Sequence, residues 1–263
     1  MVFEDSLAFH AYLCLAHICG MLENDYHYYG AANDYPDQLV FSASLSEVFG
    51  FAIDKVFDSQ FVADPSGKPQ WAFTSTADRT GVLGARLYYD RSLDVYFLAH
   101  PPTRVENQID SDTNEMTIAN QGIPDKFSQA AQLMDLVKPE YREKIVVIGH
   151  SLGGGLAAYA ALKTAEITSG DWVPRTVAFD PLGLNEKMMA GAESVTSLLP
   201  NHVDWCYIAG SWVAGLNVVN ELGSVGAVWE LPQDPVRAAA GLDPHDLENV
   251  RYGLTYLWEH NSN

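Results

Sequence analysis

Short runs of β-branched and aromatic residues recur along the chain, separated by longer segments with helical spacing. Trp71–Thr74, Ala85–Tyr89, Asp94–Ala99, Ile145–Ile148, Thr176–Phe179 and Val203–Ala209 are too short for stable helices and rich in strand-forming side chains, so they read as strands. Residues 5–23 place Leu7, Ala11, Leu15, Cys19 and Leu22 near one face of a helix, and Leu39–Val56 reads as helical at least in part. Asp125 opens a further helix that carries Phe127, Ala130, Ala131, Met134 and Val137 inward until Lys138-Pro139 stops it. Leu152–Ala165 is Ala-rich, and Asp246–Trp258 closes the pattern as a last helix. Strands alternating with helices predict an α/β fold, with a mostly parallel central sheet and helices on both faces. No linker or composition break divides residues 1–263, so one domain is expected, with residues 1–62 as a helical, lid-like N-terminal segment.

Turn chemistry adds detail between these elements. Asp90-Arg91-Ser92-Leu93 fits a hairpin loop. His100-Pro101-Pro102-Thr103 ends its strand abruptly, because proline cannot donate to a ladder; this puts a loop at a strand's C-terminal end, where open α/β sheets hold their sites. Asn24–Asp37 reads as a loop whose Tyr26, Tyr28, Tyr29 and Tyr35 either line an apolar entrance or pack on the surface. Asp110-Ser111-Asp112-Thr113-Asn114 sets oxygen side chains at alternate positions, as a calcium loop would. Glu115 stands where that loop needs glycine and Gln121 where it needs a bidentate Glu, so the stretch reads as an acidic loop with no metal.

Charge and cysteine usage narrow the function classes. The net charge of −19, from 34 acidic and 15 basic residues, argues against a nucleic-acid groove and against docking on anionic membrane through basic patches. A neutral substrate suits it better. Three cysteines, Cys14, Cys19 and Cys206, are too few for a disulfide-stapled fold and read as reduced, mostly buried thiols. The apolar stretch Leu7–Leu22 has Glu4 and Asp5 before it, and no Lys or Arg precedes Lys55, which does not fit a signal peptide. It is also too short and too interrupted by histidine to span a bilayer. A cytoplasmic protein, or one exported without a cleavable N-terminal signal, is expected, with no stable membrane insertion.

The candidate chemistry lies in Ile145-Val146-Val147-Ile148-Gly149-His150-Ser151-Leu152-Gly153-Gly154-Gly155. A strand runs into G-x-S-x-G and then into a helix, which is the context a nucleophile elbow requires. Gly149 and Gly153 remove side chains that would clash at so sharp a turn, and Gly154 and Gly155 allow close packing. Ser151 is then lifted above the sheet edge over the free N–H groups of a helix N-terminus. His150 reads as a packing or orienting residue.

On these residues the chain resembles α/β-hydrolases of the class 3 lipase type. The resemblance covers about residues 85–258 and is strongest at Gly149-His150-Ser151-Leu152-Gly153-Gly154, with support from Leu98–Thr103 and Asn120-Gln121-Gly122. It implies an α/β-hydrolase fold and a serine hydrolase cleaving carboxylic esters, acyl glycerols or phospholipid-type lipids among them, without metal or cofactor. Ser151 is the implied nucleophile and His245 the implied base; the N–H groups of Leu152 and Thr103 are the implied oxyanion donors. The chain departs from the pattern twice. Pro101 and Pro102 stand where the family has Arg and Gly, and Ser211 stands where it has its acid. Asp180, followed by proline at the end of the preceding strand, is the favoured acid, or else a loop-capping aspartate; Asp204 and Asp243 rank lower. A catalytically impaired module that binds lipid or protein through the same fold is the alternative.

Overall fold

The computed structural model describes residues 39–41, 57–63, 69–75, 85–90, 94–103 and 108–261. Within them, five parallel strands form the centre of a sheet: β5 (Val95–His100), β6 (Ile145–His150), β7 (Arg175–Phe179), β8 (Val203–Ile208) and β9 (Ala227–Leu231), in that spatial order. Antiparallel β4 (Arg86–Asp90) and β1 (Leu39–Phe41) extend the β5 edge. A separate antiparallel pair joins β2 (Phe57–Ala63) to β3 (Pro69–Ser75). The hairpin expected around Asp90–Leu93 is present as the β4–β5 pairing, in which Asp90 faces Val95.

The side-chain period of two divides the central strands between two cores. Tyr96, Leu98, Ile145, Val147, Ala178, Val203 and Trp205 face one side, where helices α2 (Asp125–Asp135) and α3 (Leu152–Ile167) cover them. Phe97, Ala99, Ile148, Val177, Phe179, Cys206 and Ile208 face the other, against Leu247, Val250 and Leu254 of the terminal helix. Because both faces are covered, the central strands read as near-continuous apolar runs with no polar alternation. Helix α3 is apolar all round as far as Leu162, and thirteen of its residues are buried, which explains the Ala-rich sequence. Cys206 is free and buried; Cys14 and Cys19 lie outside the described residues.

Two expectations are corrected. The helical reading of residues 1–62 does not hold at Leu39–Phe41 or from Phe57, which are strands; the rest of that segment, with Tyr26, Tyr28, Tyr29 and Tyr35, lies outside the described residues. The open ladder of β4 accepts Leu39–Phe41 in register with Tyr88–Asp90, and edge pairing overrides the local helical spacing. The acidic stretch 110–114 is not a loop but lies within helix α1 (Gln108–Ile118). Its inward stripe is polar: Asp110, Thr113 and Thr117 are buried, so hydrophobic periodicity could not reveal it. Asp110 forms a buried ion pair with Lys126 of α2, and the Thr117 hydroxyl donates 2.8 Å to the Thr113 carbonyl.

The remaining helices are short α4 (Glu186–Met189), α5 (Trp212–Val219), short α6 (Pro235–Ala239) and terminal α7 (Leu247–Asn261). Among the described residues, no helix is long and apolar enough to cross a membrane.

Candidate active site

Ser151 sits between β6 and α3 at φ 56° and ψ −126°, a region an L-residue occupies only when its surroundings hold it there. The holding groups are identifiable. The Ser151 amide donates 3.0 Å to the Phe179 carbonyl, and its own carbonyl accepts from the amides of Gly155 and Leu182, each at 3.1 Å. A Cβ on Gly149 would lie 2.1 Å from the Gly153 carbonyl oxygen, so the turn closes only without side chains. The glycines after the serine admit other backbone. A Cβ on Gly153 would meet the His100 carbonyl oxygen at 2.2 Å, and those on Gly154 and Gly155 would strike Pro181 and the Leu182 carbonyl. These glycines therefore let the loops after β5 and β7 close onto the first turn of α3.

The loop His100-Pro101-Pro102-Thr103 thus runs directly over the start of α3. Pro101 and Pro102 are buried, and neither carries an N–H. Thr103 follows as a half-buried residue whose hydroxyl oxygen accepts 2.8 Å from Asn114 Nδ2 of α1. Leu152 is the first residue of α3, so its N–H has no partner within the helix.

Asp180 ends β7 at φ 39° and is 1% exposed. A carboxylate so deeply buried must be compensated by hydrogen bonds or charge. Its Oδ1 accepts 3.1 Å from the Ile208 amide at the end of β8, and its Oδ2 accepts from the Ser211 hydroxyl. The same Oδ2 lies 2.6 Å from His245 Nδ1. His245 comes from the segment between α6 and α7, where the Asp243 carboxylate accepts its backbone N–H at 2.9 Å, the turn role expected for Asp243. The other candidate, Asp204, lies near the opposite end of the sheet, tied to Arg175 and accepting 2.8 Å from Trp229 Nε1.

Two rings complete the surroundings of His245. His150 stacks on it with centroids 4.5 Å apart and planes 28° apart, and Trp212 meets it edge-on at 5.0 Å. Because His150 immediately precedes Ser151, the stack brings the His245 ring to the elbow. Ser211, Trp212 and the Ile208 amide are the members that sequence reasoning missed. Ser211 did carry a signal, since a serine ahead of an apolar segment is a helix N-cap, and here its hydroxyl oxygen accepts 3.2 Å from the Val213 amide.

His100, beside the elbow at the end of β5, is fully buried, and neither ring nitrogen has a hydrogen-bond partner among the described residues. Burial, aided by the Lys126 charge, pulls its pKa down to about 3, so the ring is neutral. His260 stacks on Tyr256 of its own helix, with Nδ1 2.8 Å from the Tyr256 carbonyl oxygen.

A strand–elbow–helix at the centre of a parallel sheet, with an aspartate and a histidine brought to the elbow from two later loops, decides the fold type. The chain has an α/β-hydrolase fold. Residues 114–201, which span the elbow, match a family model described as Mbeg1-like. No curated protein matches the sequence. Among solved structures the chain is similar to the Lip2 lipase of Yarrowia lipolytica, at 14% identity and a TM-score of 0.47, over 88% of this chain and 80% of that one. It is also similar to acetyl xylan esterase 1 of a Thermoanaerobacterium species, at 14% identity and a TM-score of 0.35, over 95% and 93% of the two chains. An esterase of the archaeon Pyrobaculum calidifontis shows 14% identity and a TM-score of 0.32, over 94% and 88%.

Proposed function

We propose that this protein is a serine hydrolase of carboxylic esters, acting through an acyl-enzyme. The observation that carries the reading is the buried Asp180 carboxylate at 2.6 Å from His245 Nδ1, beside a strained serine elbow. With Nδ1–H donated to Asp180, the lone pair of Nε2 is the one left to accept a proton. Ser151 Oγ attacks the ester carbonyl as His245 takes its proton, and Asp180 stabilises the resulting imidazolium. His245 then returns that proton to the leaving alcohol. The acyl-enzyme is hydrolysed by a water that His245 deprotonates in turn.

The tetrahedral oxyanion falls to the N–H groups of Leu152 and Thr103, a contribution of about 3–4 kcal/mol per donor in comparable sites. Pro101 and Pro102 offer none, so Thr103 is the first residue after β5 able to donate from that loop. Neutral esters, acyl glycerol or phospholipid-type lipids among them, suit a chain of net charge −19. The two prolines favour a second reading, a binding module that keeps the fold but lacks a competent oxyanion hole.

A fluorophosphonate probe and p-nitrophenyl esters from acetate to palmitate test the proposal on the wild type beside Ser151→Ala. Labelling and hydrolysis that both vanish in Ser151→Ala support the hydrolase, and the chain-length profile separates esterase from lipase. A wild type that neither labels nor hydrolyses any ester overturns it in favour of the binding module.

A further inference from the structure

The base and the nucleophile are held by very different surroundings. Ser151 belongs to a buried turn at the centre of the sheet, whereas His245 follows Gly241, Leu242 and Asp243, all exposed. One hydrogen bond to Asp180 fixes the distance of the imidazole but leaves it free to rotate about the Nδ1···Oδ2 axis. The two ring contacts remove that freedom. Trp212 is itself half exposed, while His150 is 2% exposed and adjoins Ser151 in sequence, so the His150 stack refers the plane of the base to the nucleophile's own backbone.

Polar and charged groups from several elements surround His245. Asp180 faces Nδ1, Asp243 holds the backbone N–H, and Asp246, next in the chain, is paired with Arg237. Trp212 of α5 and its N-cap Ser211 add neutral groups. His150 presents a ring face to the imidazole.

We propose that His150 is a positioning residue for His245: its stacked ring fixes the plane of the base over the elbow. The inference rests on the acyl-enzyme reading for its consequence in catalysis, but the stack itself can be read without turnover.

The test uses His150→Leu, which removes the ring, His150→Phe, which keeps an aromatic face, and His150→Gln, which is polar and ringless and carries the comparison if the leucine variant does not fold. Histidine Cε1–H resonances are recorded at fixed pH in the Ser151→Ala background, with His245 assigned by its loss in His245→Gln. The proposal expects the His245 resonance, displaced by the stacked ring, to move in the ringless variants and to stay near wild type in His150→Phe. With Ser151 restored, kcat on a soluble ester falls about tenfold in the ringless variants with KM within about twofold, and His150→Phe recovers most of it. An unchanged His245 resonance in the ringless variants overturns the proposal, as does equal loss of kcat in the phenylalanine and ringless variants. If the wild type hydrolyses no ester, the hydrolase reading fails and the resonance still decides the stack.

Discussion

Asp180 and His245 are 65 residues apart in sequence and 2.6 Å apart in space, and the Asp180 oxygen that meets His245 also accepts the Ser211 hydroxyl. The position at which the class 3 lipase pattern has its acid is therefore occupied by a serine whose hydroxyl donates to Asp180. Asp180→Asn replaces an acceptor with an amide that can hold the wrong imidazole tautomer. We expect kcat on p-nitrophenyl esters to fall by about 10⁴, the size of the corresponding change in the serine-protease triad. Ser211→Ala leaves Asp180 with Ile208 and His245, so its loss of kcat should be far smaller. It should also cost about 1 kcal/mol in urea unfolding through the lost N-cap. Equal kcat losses in the two variants would reverse the assignment.

Gly153 and Gly215 make a matched pair, both inside helices. A Cβ on Gly153 would lie 2.2 Å from the His100 carbonyl oxygen and 2.7 Å from that of Pro101, and backbone cannot give way cheaply. Gly153→Ala should displace the loop that carries Thr103 and lower the melting temperature sharply. At Gly215 in α5 nothing lies within 4 Å, so Gly215→Ala should stabilise by about 0.5–1 kcal/mol through helix propensity alone. Thermal melts of both variants check the contrast.

The Lys126–Asp110 ion pair joins α2 to α1 with both side chains buried. Lys126→Met leaves the carboxylate without its cation and should cost about 3–5 kcal/mol in urea unfolding. The double variant Lys126→Met with Asp110→Leu removes both charges and should recover most of that loss. If the double variant is no better than the single, the cost comes from packing.

His100 predicts the acid side of the stability curve. Its folded pKa of about 3 lies below the ordinary 6.5, chiefly through burial, so the unfolded chain binds this proton more readily. The full stability is present above pH 6.5 and is lost as pH falls toward 3, at up to about 1.4 kcal/mol per pH unit from this one group. His100→Leu removes the titration and should flatten the dependence across that window, as read by urea unfolding at pH 7, 6, 5 and 4. An unchanged slope would mean that His100 takes up its proton without unfolding.

The sequence by itself determined the elements whose chemistry is local. Ile145–Gly155 specified a strand, a glycine-lined turn and a helix, because β-branched packing, steric exclusion at Gly149 and alanine propensity all act between near neighbours. The alternation of apolar runs specified a parallel sheet covered on both faces, and the Pro101-Pro102 pair specified where β5 must end. Tertiary structure decided what depends on distant partners. Leu39–Phe41 became a strand because the β4 edge was open to it, and Asp110–Asn114 became helical with its polar stripe turned inward, where Lys126 supplies the countercharge for Asp110. The sequence could rank Asp180 against Asp204 and Asp243, but it was the parallel pairing of β7 with β8 that set its carboxylate between the Ile208 amide and the Ser211 hydroxyl. His150 was legible as a packing or orienting residue, but the ring it stacks on was not. Stacking it on His245 required the chain to return after roughly half its described length, and no local preference encodes that return.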